Sequence, residues 1–174
     1  MSRVKEWIYI TGEDNQVRYA LGYKGQRTIV CMGINPSTAN PDHPDPTIGF
    51  VEKIAETNGY DSFLMINEYP MRDTVFKDLP DEENKEYRAT NLEIIKRLFN
   101  ELPQPIDVWL AYGDHVDDMK TYTRPCLEEL LDALKEYDIR YKCAGTNKSG
   151  NPKHPLYLKG DTKLVDYTVP ASEM

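Results

Sequence analysis

The sequence has little from which to build a disulfide framework or a metal centre. It contains only three cysteines, and their spacing forms no pair: Cys31, Cys126 and Cys143. Its three histidines are far apart along the chain: His43, His115 and His154. A metal site would need the fold to bring such residues together, so we expect no disulfide, no structural zinc and no required cofactor.

Long apolar runs are also missing. No stretch approaches the roughly 20 residues that cross a bilayer, and the first residues, MSRVKEWIYI, lack the continuous apolar region of a signal peptide. We therefore expect a soluble, cytoplasmic protein without a membrane partner. The 174 residues suit one domain, with an N-terminal hairpin at 6–25, a core at 28–158 and a C-terminal tail at 159–174.

Basic residues are fewer than acidic ones. The 21 Lys and Arg residues are outnumbered by 29 Asp and Glu residues, which gives a formal net charge of −8. Sequence-independent binding to nucleic acid relies on basic contacts to phosphates, so this charge disfavours long DNA as a ligand. It favours a small ligand, or a protein partner that itself binds nucleic acid.

Familiar catalytic motifs are missing as well. The chain contains no Walker loop, no G-x-G-x-x-G turn and no G-x-S-x-G elbow. The segment GYKGQR resembles an anion-binding turn only weakly. Cys31 lies within a predicted strand and has no obvious base nearby, which argues against a thiol nucleophile.

The most informative stretch that is present covers residues 28–47. Its apolar run, Ile29–Met32, is typical of a strand buried on both faces, and Gly33 ends it. A loop rich in Asn, Ser, Thr, Asp and Pro follows, and Pro46 suits the first turn of a helix that continues to Asn58. Open parallel sheets usually bind ligands in such loops, so we expect the functional site here.

The same alternation of strand and helix continues along the chain. Strands are predicted at 62–66, 106–111 and 139–144, and helices at 81–102 and about 116–137, the latter with a break near Pro125. An antiparallel hairpin precedes them and is expected beside the main sheet. Its Arg18 and Tyr19 are read mainly as edge-strand residues, and an orientation toward the loop at 35–47 stays open as the alternative. The pattern predicts a three-layer α/β/α sandwich with a mainly parallel sheet of about four strands.

Parallel strands end at one edge of a sheet, so four loops should meet there: 35–47, 67–72, 113–115 and 147–157. Their amides present a donor and an acceptor together, which suits the edge of a nucleobase. A carboxylate or an Asn near a His can hold water while the His donates to a developing negative charge. Turn formation and helix capping stay open as roles for Asn35 and Asp45. His43 and His115 are expected to face solvent.

Five separated blocks of the chain occur in a characteristic order: RYALGY, GINPSTANPDHPDPTI, INEYPMRDTVFKDL, WLAYGDHV and GNPKHPLYL. Together they resemble the bacterial and phage family known as domain of unknown function 1643, over roughly residues 18–158. The family name itself implies no activity.

A more distant resemblance connects three of these positions with uracil-DNA glycosylases, whose fold is an α/β/α sandwich with a four-stranded parallel sheet. It implies that Asn35 in Gly-Ile-Asn-Pro positions the attacking water, and that Asn67 in Leu-Met-Ile-Asn reads the base. It also implies that His154 in His-Pro stabilises the departing base. The candidates for an aromatic residue that stacks on the base are Phe50, Tyr60 and Tyr69.

The first hypothesis is therefore a hydrolase of an N-glycosidic or related bond in a nucleotide, a modified base or a short nucleic acid. Its catalytic residues would be Asn35, Asp45 and His154. Its ligand-binding residues would be Ser37, Thr47, Asn67, Arg72, Gly113 and Lys153, with Arg72 or Lys153 contacting a phosphate. Two alternatives stay open. One is a non-catalytic module that binds a nucleotide or a protein on the same fold. The other is a protein whose acidic surface blocks a DNA-binding protein.

Overall fold

The structure is a computed structural model that describes residues 5–73, 79–156 and 158–170. Within these residues the strands are β1 (Trp7–Thr11), β2 (Arg18–Tyr23), β3 (Thr28–Gly33), β4 (Ser62–Asn67), β5 (Ile106–Leu110), β6 (Ile139–Cys143) and β7 (Val165–Asp166). The α-helices are α1 (Pro46–Thr57), α2 (Lys85–Asn100), α3 (His115–Asp118) and α4 (Thr123–Ala133). None of these helices is both long and apolar enough to span a membrane.

One mixed sheet organises the molecule, with the strand order β1-β2-β4-β3-β5-β6-β7. Its middle is parallel, because β3 pairs in parallel with β4 and β5, and β5 pairs in parallel with β6. The chain runs from β3 through α1 to β4, and then returns through α2 to β5 on the other side of β3. The strand order therefore reverses between β3 and β5, where open α/β sheets bind their ligands.

Helices cover both faces of the sheet. Ile29 and Cys31 of β3 pack with α1 in one apolar core. Val30 and Met32 of the same strand pack with α2 and α4 in the other core. The strand is thus buried on both faces, as its unbroken apolar run predicts, and the predicted α/β class is confirmed.

The sheet is larger than the predicted four strands because both ends of the chain add antiparallel strands. β2 pairs with β4, so the N-terminal hairpin extends the sheet instead of packing beside it. Gly22 permits this pairing, since a Cβ there would collide with the carbonyl oxygen of Phe63. At the other edge β7, from the segment predicted as a tail, pairs with β6.

The helix boundaries follow their caps. Asp45 Oδ1 accepts a hydrogen bond from the N–H of Ile48 at 2.9 Å, and α1 begins at the following residue, Pro46. α2 begins at Lys85 rather than at 81, because Asn84 caps it. The helix predicted over about 116–137 is divided into α3 and α4, and Pro125 lies in the first turn of α4. The predicted restart is therefore present, and it precedes the proline.

Candidate functional site

A cavity of about 300 Å³ opens where β3 and β4 end. Its wall contains Asn67, the last residue of β4, and residues from the segments that follow β3, β5 and β6 respectively: Asn35, His115 and His154. The expected gathering of four strand-end loops is thus present. The volume lies at the lower end of the range for small-molecule sites.

Six of the nine predicted site residues line this cavity: Asn35, Ser37, Asp45, Thr47, Asn67 and His154. The other three, Arg72, Gly113 and Lys153, do not belong to its wall. The cavity walls also contain apolar side chains from several elements: Ile34, Ile48, Met65, Met119 and Leu156.

Asn67 is the most unusual polar group of the wall. The residue is 1% exposed, and neither Oδ1 nor Nδ2 of its amide has a hydrogen-bond partner among the residues that the structure describes. Buried polar groups are almost always bonded, and an unsatisfied one costs about 1–3 kcal/mol. Gly33 lies opposite it on β3, and a Cβ at Gly33 would come within 2.8 Å of Asn67 Oδ1. Because Gly33 has no side chain, there is space beside the Asn67 amide at the cavity wall. The donor and the acceptor of that amide are both available to a ligand.

Asn35 is held by one end of its amide. Nδ2 donates to the backbone carbonyl of Met71 at 3.2 Å, which connects the loop after β3 to the loop after β4. Oδ1 is then the atom that can accept a hydrogen bond from water or a ligand. The side chain is half-buried, so solvent can reach this acceptor.

Asp45 combines two positions. Its Oδ1 caps α1 through the N–H of Ile48, and the residue also lines the cavity. The capping role left open by the sequence is therefore present. One carboxylate oxygen is engaged in it, which leaves the second oxygen for any contact with a ligand.

The two histidines of the wall have complementary hydrogen bonding. Nδ1 of His154 accepts from the N–H of Leu156 at 3.1 Å, so the neutral ring carries its proton on Nε2. Nδ1 of His115 lies 2.8 Å from Asp118 Oδ1, and a carboxylate can only accept. The neutral His115 ring therefore carries its proton on Nδ1 and its lone pair on Nε2. His115 is exposed, as expected, but it also belongs to the cavity wall.

His154 is a neutral donor at pH 7. Partial burial lowers its pKa from the ordinary value of 6.5, His115 lowers the pKa further, and Asp45 opposes both effects. The side chain keeps contact with solvent. A neutral ring with its proton on Nε2 can stabilise negative charge that develops on a leaving group without being an acid itself.

Arg72, the predicted ligand contact, lies outside the cavity wall, and the protein engages both terminal nitrogens of its guanidinium. Nη1 donates to the carbonyls of Ser37 and Ala39 at 2.7 and 3.2 Å. Nη2 donates to Tyr9 Oη at 2.6 Å and to Asn15 Oδ1 at 3.1 Å. Arg72 thus ties the N-terminal hairpin to the loop after β3, and we call these bonds the Arg72 clamp.

Gly113 and Lys153 are placed behind the cavity rather than in its wall. Gly113 has a φ of +66° and donates to the carbonyl of Pro152 at 3.0 Å. A Cβ there would lie 3.2 Å from the Cβ of His154. The backbone N–H of Lys153 donates to the carbonyl of Gly145 at 3.0 Å. Both residues therefore position the loop that carries His154.

Arg18 belongs to the cavity wall, although the sequence favoured an edge-strand role for it over a position facing this loop. It is 2% exposed and lines the cavity. Nη1 donates to the carbonyl of Ala39 at 3.2 Å, whereas Nε has no partner. Burial lowers its pKa to about 10, Arg72 lowers it in the same direction, and Asp45 opposes them. Arg18 remains a cation at neutral pH. Its only sequence signal is that it opens an otherwise uncharged strand, RYALGY.

The three predicted stacking residues lie elsewhere, and none of the Phe, Tyr and Trp side chains that the structure describes lines the cavity. Tyr60 donates to Asp107 Oδ2 at 2.6 Å. Tyr69 is fully buried and packs in a separate apolar cluster, and Phe50 is not a wall residue. Met65 supplies apolar surface instead, and a thioether can adapt to the face of a planar group.

Other chemistries find little support in the described part of the chain. It contains no group of three side chains suited to holding a metal ion. The turn in GYKGQR is filled by the protein itself, since the N–H groups of Gln26 and Arg27 both donate to the Asp61 carboxylate at 3.0 Å. Cys31, Cys126 and Cys143 are free and buried. Burial raises the pKa of Cys31, so its thiol stays protonated.

Fold and site together define an α/β protein with a small polar cavity at the edge where its parallel strands end. The chain belongs to the family described as protein of unknown function (DUF1643), whose model matches residues 18–156. That range contains every residue of the cavity wall. No curated protein and no solved structure matches the chain.

Proposed function

We propose that this protein binds a nucleobase-containing small molecule in the cavity and hydrolyses its N-glycosidic or a related bond, on a fold distantly related to uracil-DNA glycosylases. The observation that carries the proposal is the Asn67 amide, which is buried at the cavity wall with both ends unbonded. A nucleobase edge that offers one acceptor and one donor would satisfy both ends at once.

The remaining wall residues suggest how the bond would break. Water held by Asn35 Oδ1 would add its oxygen to the sugar carbon while the C–N bond breaks and its electron pair leaves with the base. Nε2–H of His154 would donate a hydrogen bond to the departing base and stabilise the charge on it. The proton lost by the water would end on the base nitrogen, so the products are a free base and a sugar hydroxyl.

The dimensions and charge of the site favour a nucleoside or mononucleotide over a nucleic-acid strand. The cavity measures about 300 Å³, and the chain carries a formal net charge of −8. A strand would need a continuous basic groove for its phosphates. The free cysteines suit a reducing compartment, and we place this activity in the cytoplasm.

A non-catalytic module that binds the same ligand is the second candidate. One observation favours it specifically: Asp45 caps α1 through Oδ1, which leaves only its second carboxylate oxygen to activate water. In that case Asn67 would still bind the base and Asn35 would act only as a further contact.

Ligand screening followed by product analysis separates these candidates. Thermal shifts would be measured with nucleobases, nucleosides, mononucleotides and short oligonucleotides on the wild type and on Asn35→Ala, Asn67→Ala and Asn100→Ala. Asn100 lies at the exposed end of α2 and serves as the matched control. We expect a compound that raises the melting temperature of the wild type and of Asn100→Ala but not of Asn67→Ala.

Chromatography of the incubated complex then decides whether the bond is cleaved. Release of free base by the wild type, lost in Asn35→Ala, supports the hydrolase. Binding without release supports the non-catalytic module. If no compound of any of these classes shifts the wild-type melting temperature, the nucleotide-pocket proposal is wrong and a protein partner should be sought.

A further inference from the structure

We propose that the ligand of this cavity carries a phosphate ester and that Arg18 binds it. This inference rests on the proposed function and extends it, since it identifies the phosphate as the part of the ligand that Asn67 does not bind. It assigns the phosphate contact to a residue of the N-terminal hairpin, whereas sequence analysis assigned it to Arg72 or Lys153.

The first argument is the unbalanced charge of Arg18. Buried Arg side chains are almost always paired with a carboxylate, because burial of an isolated charge is unfavourable. In the part of the chain that the structure describes, no ion pair includes Arg18, although the residue is 2% exposed. Among the described residues, the one hydrogen bond of its side chain goes to a neutral carbonyl, that of Ala39, and its Nε is unbonded. An anion in the cavity would supply the missing partner.

Arg72 adds a second positive charge beside Arg18 and does not supply the anion that Arg18 lacks. Arg18 and Arg72 each donate to the same carbonyl oxygen, that of Ala39, at 3.2 Å. Two guanidinium groups are therefore held side by side, and Arg72 forms no ion pair with any described residue either. The remaining bonds of the Arg72 clamp fix that guanidinium outside the cavity wall. Arg72 therefore adds positive electrostatic potential to the cavity, whereas Arg18 can contact the ligand directly.

Asp45 of the wall does not neutralise this charge by direct contact. It attracts Arg18 electrostatically but forms no ion pair with it, and its Oδ1 accepts from the N–H of Ile48. A ligand phosphate would thus add acceptors to Arg18 in a place where the protein itself supplies only one carbonyl.

The first turn of α1 supplies further donors. Pro46, Thr47 and Ile48 all line the cavity, and the positive end of the helix dipole favours an anion there. Asp45 caps the N–H of Ile48 only. The N–H of Thr47 has no intrahelical partner, since it belongs to the first turn. Phosphate oxygens only accept hydrogen bonds, so they match this N–H and the guanidinium of Arg18.

Strand pairing places this group beside the base reader. Arg18 begins β2 and Asn67 ends β4, and the two strands are antiparallel neighbours. The start of β2 and the end of β4 therefore lie at the same edge of the sheet, and the N–H of Arg18 donates to the carbonyl of Pro70 at 2.9 Å. One ligand can then place its base against Asn67 and its phosphate against Arg18.

Calorimetric titration of a matched series tests the proposal. The probes are a nucleoside, its 5′-monophosphate, ribose 5-phosphate and inorganic phosphate, chosen for whichever base the thermal screen favours. The proteins are the wild type, Arg18→Gln, Arg18→Lys, Asn67→Ala and, as a control, Arg27→Gln at an exposed position far along the sheet.

We expect the wild type and Arg27→Gln to bind the monophosphate at least about tenfold more tightly than the nucleoside. Arg18→Gln should lose that ratio and Arg18→Lys should keep part of it. If Arg18→Gln does not fold, the comparison rests on Arg18→Lys and on the wild type at two salt concentrations. The advantage of the monophosphate should then shrink in Arg18→Lys and at high salt.

Equal affinity of the wild type for nucleoside and monophosphate would overturn the assignment of Arg18 while leaving the base site intact. Conversely, ribose 5-phosphate binding that depends on Arg18, with no response to any nucleobase, would support the phosphate contact and refute the proposed function. Failure of every phosphate-bearing probe to bind the wild type would overturn the inference.

Discussion

The two ends of the parallel strands treat their polar groups in opposite ways. At the amino end, a second cavity of about 270 Å³ is lined by Lys24, Arg27, Asp107 and Arg140. Its charges are largely matched within the protein: Lys24 pairs with Glu101 at 2.8 Å, and Arg140 pairs with Asp107 at 2.7 Å. At the carboxyl end, Asn67 and Arg18 have unbonded polar atoms although they are buried.

This contrast supports the proposal that the carboxyl end of the parallel strands binds the ligand. Protein groups that satisfy one another contribute to stability and have little left to offer a ligand. Groups left unsatisfied in a buried wall reduce stability, and a ligand can recover that loss. If the two ends differ in this way, substitutions at the amino end should lower stability, and substitutions at the carboxyl end should lower ligand binding or turnover.

The largest expected effect is at Asn35. Replacement by Ala removes the acceptor proposed for the attacking water, and we expect turnover to fall by at least about a hundredfold. The melting temperature should change little, because only two long hydrogen bonds are lost, from Nδ2 to the carbonyls of Met71 at 3.2 Å and Pro36 at 3.5 Å. Base release by Asn35→Ala at the rate of Asn100→Ala would contradict the role given to this residue.

A substitution at the amino end of the parallel strands should lower the stability of the protein. Asp107 is buried and accepts from the hydroxyl of Tyr60 as well as from Arg140. Asp107→Ala leaves the hydroxyl of Tyr60 without this acceptor, so we expect a loss of about 1–3 kcal/mol in chemical denaturation. Ligand affinity at the other end should be unchanged. If Asp107→Ala kept its stability but lost ligand affinity, the assignment of the ligand site to the carboxyl end would be contradicted.

A pair of buried asparagines sharpens the contrast. Nδ2 of Asn91 donates to the carbonyls of Asn67 and Glu68 at 2.8 and 3.3 Å, so Asn91→Ala should destabilise the protein by about 1 kcal/mol. Asn67 has no side-chain bond to lose, and Asn67→Ala should leave the free energy of unfolding unchanged or higher. Denaturant titration of both variants measures the difference. Equal losses in the two would mean that Asn67 is an ordinary structural residue.

The smallest effect concerns the pH dependence of stability. The pKa of His154 is lower in the folded protein than in the unfolded chain, so the unfolded chain binds the proton first as pH falls below about 6.5. The contribution of this residue is therefore complete above that pH and declines as pH falls towards the folded-state pKa. Solvent contact keeps it small. His154→Gln should flatten this slope between pH 7 and 5, and an unchanged slope would contradict the assignment.

Local patterns predict the part of the fold that local residues decide. The apolar runs ending at Gly33 and Asn67 predict two buried strands, and the parallel arrangement then brings Asn35, Asn67 and His154 to one edge. The two residues of β7 and the docking of β2 against β4 could not be predicted this way. Both depend on pairings between segments distant in sequence, which carry no periodicity of their own.

The roles of the polar residues show the same limit, because the local sequence gives their chemistry but not their contacts. The charge of an Arg can be read from the sequence, but the atoms it meets are decided by the tertiary fold. Arg72 and Arg18 are alike in the sequence, yet one is engaged by four protein oxygens and the other opens a strand in the cavity wall. Under our proposal it is therefore Arg18, and not Arg72, that contacts the phosphate.

The Arg72 clamp also bears on where the chain can be shortened. The family match begins at residue 18, whereas Tyr9 and Asn15, which accept from Nη2 of Arg72, precede it. A fragment trimmed to the matched region would retain the whole lining of the cavity but would lose two of the anchors that hold the loop after β3. We therefore expect residues 18–156 alone to hold the loop after β3 less firmly than the full chain does.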